Sequence, residues 1–364
     1  MRKIKIFGAG SIGNHLANAS RRMGWEVIVC DVNQAALDRM KNEIYPGRYG
    51  AWDESIRLCL VKDAPTGGFD LIHIGTPPEH HIPLAIEALK EEPRAILIEK
   101  PLCPPDLAGA DELWIRTIES RTRVYCGFDH VVGKAALKFA EIFQSGILGK
   151  VETIDSEFRE HWDGIFKAHP WLTGPEDTYL GYWKRGGGAS GEHSHAINFW
   201  QHLAHMTGSG KVIEVSGMLV YEKQGKAEYD KLCSLNLKTE SGLIGRVIQD
   251  VVTRPHRKRA RIQGSEGYLE WIANYTPEGD AVMLQIAGKP EEIAGLPKKR
   301  PDDFICELEH IDNDLKNGGE CQSPLSLERG LDTMLVVAAA HKGQAEGKTI
   351  KIDYTSGYKH ASIT

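Results

Sequence analysis

A chain of 364 residues with 26% charged and 41% apolar residues is long enough for two separate cores and has the balance of a globular protein. Its formal net charge of −6 argues against general affinity for nucleic acid or membrane surfaces, and neither is expected as a partner. Seven scattered cysteines without C-x-x-C spacing, no secretory leader and no membrane-length apolar run speak against a disulfide scaffold, so the expectation is a cytoplasmic protein.

Residues 4–7 read as a short buried strand that runs into Gly8-Ala9-Gly10-Ser11-Ile12-Gly13, and a helix is expected over 14–22. A second strand, 27–30, ends in Asp31. This strand, glycine turn, helix, strand and acid match the spacing that a dinucleotide needs. Gly8 allows the tight turn, Gly10 lets the backbone approach a pyrophosphate, and Gly13 lets helix and strand pack closely. The helix start adds free N–H groups and a positive dipole end. Asp31 can accept from ribose hydroxyls and repels a 2′-phosphate, and Val32-Asn33-Gln34 supplies no base to neutralise one. NAD is therefore expected rather than NADP.

Strands at 69–74, 95–98 and 124–127 alternate with helices at 83–90 and from Pro104-Pro105 to about 119, which implies a parallel sheet covered on both faces. Ligands of such sheets lie beyond the strand carboxyl ends, where Glu99-Lys100-Pro101-Leu102 follows the 95–98 strand. After Asp129 the pattern changes. A helix near 134–144 and a strand over 151–158 precede a polar, aromatic stretch at 159–185. A helix starts near Glu192. Strands follow at 212–221, 232–237, 243–252, 259–262, 268–272 and 282–286, with short links that suggest antiparallel pairing. Helices at 304–316 and 325–346 close the chain. The basic cluster Arg254, His256, Arg257, Lys258, Arg259 and Arg261 reads as a solvated or subunit-facing edge.

On one continuous helix Glu192, His195, Phe199 and His202 would share a face, with Asn198 at its border. Glu192 would then sit beside His195 and raise its pKa for proton transfer. His193 turns with Ile197 and Trp200 to another face. Histidines are abundant here, yet His193 and His195 are two apart and no H-E-x-x-H is present, so no metal is expected. Trp162, His169, Trp171, Tyr179, Tyr182, Lys184 and Arg185 are candidates for a substrate pocket, because aromatic faces stack on sugar rings and bases bind phosphate.

The chain resembles the Gfo/Idh/MocA oxidoreductases, such as glucose–fructose oxidoreductase and inositol dehydrogenase. The marks are the glycine turn, Gly75-Thr76-Pro77-Pro78-Glu79-His80-His81, Glu99-Lys100-Pro101-Leu102, Gly127-Phe128-Asp129-His130, and Gly186-Gly187-Gly188 followed by His195. The resemblance implies an α/β chain: an N-terminal Rossmann doubly wound sheet (1–126) and a C-terminal α/β domain (127–364) with a large, mostly antiparallel open sheet. That second domain would bind substrate and build a homodimer or homotetramer. Thr76, Pro77, His80, Glu99 and Lys100 would join Gly8, Gly10, Ser11, Ile12, Gly13 and Asp31 around the cofactor. His130, His193 and Asn198 would join the substrate side. Lys100, His195 and Glu192 would be catalytic. In family members with a D-x-x-x-H-x-x-D pattern the histidine is the acid/base, and it falls on His195; the two Asp positions are Gly191 and Asn198, so the orienting carboxylate is Glu192 or the proton path differs. The implied activity is NAD-dependent oxidation of a secondary alcohol on a sugar, sugar derivative or cyclitol. The alternatives are an epimerase, eliminase or sugar-to-sugar oxidoreductase that keeps its NAD, and a non-catalytic sugar sensor.

Overall fold

In the computed structural model, residues 1–318 and 321–364 are described, and they form two sheets joined by shared helices. The first sheet holds β1 (Lys3–Phe7), β2 (Glu26–Asp31), β3 (Ile56–Leu60), β4 (Leu71–Ile74), β5 (Ala95–Glu99) and β6 (Arg123–Gly127). They lie all parallel in the order β3-β2-β1-β4-β5-β6. That is the doubly wound order whose chain reversal, between β1 and β4, opens a ligand crevice at the carboxyl ends. Strands β4 and β5 are buried throughout, as helices on both faces require. Lys5 in central β1 is buried too, with Nζ 2.6 Å from Glu91 Oε1 and 2.9 Å from the Pro65 carbonyl, which satisfies a charge that could not otherwise stay there.

The second sheet is mixed and mostly antiparallel. It comprises β7 (Val151–Arg159), β8 (Val212–Gln224), β9 (Ala227–Thr239), β10 (Ile244–Asp250), β11 (Arg257–Gly264), β12 (Gly267–Thr276), β13 (Gly279–Ile286), β14 (Glu292–Pro297) and β15 (Ile350–Lys351). Their order is β14-β13-β12-β11-β7-β10-β9-β8-β15, with only β7 and β10 parallel among the described pairs. The helix His195–Met206 lies across β7, β10 and β11 and buries Ile197, Phe199, Trp200 and Leu203. The two closing helices tie the sheets together. Asp302–Asn317 packs on the first helix, Ser11–Arg22, and the backbone before Leu327–Glu346 bonds to β6 through Cys126 N–H and the Leu325 carbonyl, 2.7 Å.

Several elements differ from the sequence reading. Strand β3 was not anticipated; it is an edge strand whose Ile-Arg-Leu-Cys-Leu alternation is only half buried. The helix expected from Pro104 begins at Ala110, because Leu107 (φ 58°) and Gly109 (φ 76°) hold left-handed backbone that a continuous helix excludes. The basic cluster is no edge: β11 lies between β7 and β12, where Arg257 pairs with Glu157, Lys258 with Glu160, and Arg259 with Glu270.

The helix expected from Glu192 is also broken. A short helix, Gly188–Glu192, ends before His193, and a new one starts at His195. Gln249 of β10 donates to the carbonyls of His193 (2.7 Å) and Ser190 (3.3 Å), which draws the chain off a single helical path.

Candidate functional site

A cavity of about 700 Å³ opens at the carboxyl ends of β1, β4, β5 and β6 and is closed on the far side by the second sheet and the 162–181 segment. The glycine turn forms one wall, through Gly10, Ser11 and Ile12. A side chain at Gly13 would place its Cβ 1.9 Å from the Gly8 carbonyl oxygen, so only glycine lets the helix start this close. Gly10 has no atom within 4 Å of its own Cβ direction, which leaves bare backbone facing the open space a pyrophosphate needs. Asp31 Oδ2 accepts from Ala9 N–H at 2.8 Å and Oδ1 from Asn33 N–H at 2.9 Å. A carboxylate has acceptor sites beyond these two, so Asp31 holds the turn and can still receive a ribose hydroxyl. These residues fit NAD.

Thr76 and Pro77 line the same cavity, whereas His80 does not. His80 is exposed at the start of a helix, and its neighbour His81 is the buried one, bonded to the Thr76 and Pro101 carbonyls at 2.6 and 3.0 Å. Arg48, which sequence reasoning missed, donates to the Ser11 carbonyl (2.9 Å) and Oγ (2.8 Å) and to the Ala168 carbonyl (3.1 Å). It therefore ties the glycine turn to the segment that covers it.

Deeper in, Lys100 Nζ lies 2.9 Å from Glu192 Oε2 and 3.1 Å from the Glu192 carbonyl. Burial pushes the Glu192 carboxyl up, but Lys100 and His193 outweigh it and hold the group below its ordinary value. Glu192 is thus the partner of Lys100 and not of His195, contrary to expectation. The carboxylate beside His195 is Asp129, with Oδ1 3.9 Å from Nδ1. A carboxylate at position 191 is sterically closed: a Cβ there would stand 2.0 Å from the Gly186 carbonyl oxygen. Asp129 comes instead from the turn after β6.

The expected rise in the His195 pKa is reversed as well. Burial, then His130, Lys100 and Lys258, depress it well below the ordinary value, so the imidazole is neutral near pH 7. His130 is depressed likewise by burial and Lys298, and its ring lies 4.5 Å from that of His195. His193 falls to about 4 through burial and Lys258. Glu99 is pushed up to about 8 by burial and the nearby Asp129.

Of the other expected substrate residues, His130, His169, Trp171, Tyr179 and His193 line the cavity beside Lys100. Four do not. Trp162 is buried in a small core with Ile165, Leu180 and Tyr229. Asn198 points away to Thr333 Oγ1, 3.2 Å, because the restarted helix turns it toward Leu327–Glu346. Tyr182 bonds the Glu176 carbonyl, and Arg185 pairs with Glu79 at the surface. Lys258 and Arg300 line the cavity unforeseen. Lys258 was visible inside the basic cluster, but nothing local marks Arg300, which follows β14 by a few residues.

Two family models match: residues 2–128 fit the oxidoreductase family NAD-binding Rossmann fold of the GFO/IDH/MocA group, and 136–270 fit the GFO/IDH/MocA C-terminal domain. The glycosyl hydrolase family 109 protein of Shewanella baltica is 26% identical over 302 residues, which cover 75% of this chain and 63% of that protein. The chain thus spans under two thirds of the length of such relatives. Among solved structures, an oxidoreductase from Agrobacterium radiobacter in complex with NAD+, L-tartaric acid and magnesium superposes with a TM-score of 0.74 at 19% identity, covering 96% of this chain and 98% of that one. The aldose-aldose oxidoreductase from Caulobacter crescentus, complexed with glycerol, gives 0.74 at 18% identity, covering 96% and 99%. With the glycine turn, the strand order and both halves of the chain in agreement, this protein belongs to the GFO/IDH/MocA family of NAD-binding oxidoreductases.

Proposed function

We propose that the protein oxidises a secondary alcohol of a sugar, sugar derivative or cyclitol, including phosphorylated or nucleotide-linked sugars. The observation that carries this reading is one cavity lined by the glycine turn, Lys100 and His195 together. NAD, when bound, supplies the hydride acceptor. Lys100, held by Glu192, hydrogen-bonds the substrate oxygen and favours its alkoxide character. The neutral imidazole of His195 takes the hydroxyl proton. Its Nδ1 side faces Asp129, which leaves Nε2 for the substrate and compensates the charge that the ring gains. Trp171 offers an aromatic face for a sugar ring.

A second reading keeps the NAD and returns the hydride, giving net elimination, hydrolysis or sugar-to-sugar transfer. The family 109 glycosyl hydrolase relatives favour it. Among the described residues the cysteines are free and no helix is long and apolar enough to cross a membrane, which is compatible with a cytoplasmic location. Exposed Met218, Ile244 and Ile248 on the second sheet suit the family's pairing of subunits.

A panel of sugars, cyclitols and nucleotide sugars, assayed for NADH absorbance and for product, separates these readings. A ketone formed with stoichiometric NADH supports the first. Product without free NADH supports the second. Binding without turnover across the panel removes both and leaves a sensor.

A further inference from the structure

No metal-ligand spacing is visible in the sequence, yet the fold gathers three ligand-type side chains at the floor of the cavity. Asp129, His130 and His195 each offer a donor atom, and all three atoms lie within 4.8 Å of one another. Nδ1 of His130 is 3.8 Å and Nδ1 of His195 3.9 Å from the same oxygen, Asp129 Oδ1. Both distances are too long for hydrogen bonds. Bonds of about 2.1 Å to a tetrahedral ion hold their ligand atoms roughly 3.4 Å apart, so binding draws both imidazoles slightly toward Asp129 and toward each other.

The trio and the acids beside it also leave polar atoms unclaimed. Buried His195 Nδ1 has no hydrogen-bond partner among the described residues, and neither do Glu99 Oε1 or either Glu307 carboxylate oxygen, while Asp303 Oδ2 is ion-paired with Arg300 Nε at 3.2 Å. Those three acids crowd electrostatically around Asp129. Two imidazoles and one carboxylate form the donor set that divalent zinc and its neighbours prefer over magnesium or calcium.

We propose that Asp129, His130 and His195 bind one divalent transition cation of the Zn2+ or Co2+ class, and that its binding switches the oxidation off. The switching rests on the acid–base reading above; the site itself does not. An ion on Nδ1 of His195 leaves the ring proton on Nε2, so the imidazole can donate there but no longer accept. It also occupies the Asp129 carboxylate.

Metal-stripped full-length protein titrated with Co2+, without substrate, tests the site. The expected result is a saturable visible absorption band at one equivalent, displaced by Zn2+, with affinity weaker by about tenfold or more in His130→Gln and Asp129→Asn. NAD titration of both variants confirms that they fold. No band, or uptake that survives both substitutions, overturns the site. Added Zn2+ should then stop NADH formation and a chelator restore it. If Zn2+ binds the trio and turnover is unchanged, the switch is overturned and His195 is not the proton acceptor, while the ion site stands.

Discussion

The two ends of the cavity are built from different materials. The cofactor end is made of backbone: Gly8 and Gly13 have no room for a side chain, Gly10 faces open space with bare backbone, and Asp31 braces the turn through the Ala9 N–H. The other end is made of side chains, with Lys100, Asp129 and His130 from the ends of the first sheet and Glu192, His193 and His195 from the helices packed on the second drawn into one cluster. Substitutions at the first end should therefore act by steric exclusion and abolish cofactor binding. Those at the second should act through proton and charge placement and leave the cofactor bound.

The largest effect is expected from Gly13→Ala, whose Cβ cannot coexist with the Gly8 carbonyl. NAD affinity, followed by fluorescence titration, should be lost altogether; parental affinity would mean that the turn does not cradle the cofactor. Next come Lys100→Ala and His195→Ala, each expected to cut kcat by roughly 10²-fold or more with NAD affinity nearly intact. Turnover close to the parent in both would break the contrast between the two ends.

The smallest effect is electrostatic. His195 must be neutral to accept a proton, and burial with the His130, Lys100 and Lys258 charges holds its pKa low. Oxidation should therefore stay constant as pH falls from 8 through the usual imidazole range, declining only below it. Lys258→Met removes a charge that disfavours the imidazolium, and the Glu160 left behind acts in the same direction. The acid limb of the kcat/KM profile should move to higher pH. An unchanged limb, or a shift downward, would show that the limb belongs to another group.

The glycine turn was readable because its main requirements are local: spacing, left-handed φ at Gly8 and the close approach of Gly13 to the Gly8 carbonyl. The alternating strands were readable for the same reason, while the half-buried edge strand β3 lacked their apolar run. The surroundings of His195 were read only in part. Helical periodicity put Glu192 beside His195, but Gln249, on a strand more than fifty residues later, takes the His193 carbonyl and splits the helix. Trp162, a plausible sugar-stacking residue by type, is committed to a core by Tyr229 and Leu180.

The alternation of strands and helices, the cofactor turn and the presence of Lys100 and His195 were fixed by residues near one another in the chain, where glycine conformation and burial patterns act directly. Which carboxylate lies beside Lys100 and which beside His195 was decided by the tertiary structure alone. Asp129, Glu192 and Arg300 arrive from three separate segments, and their charges acquire meaning only in the low-dielectric space where those segments meet.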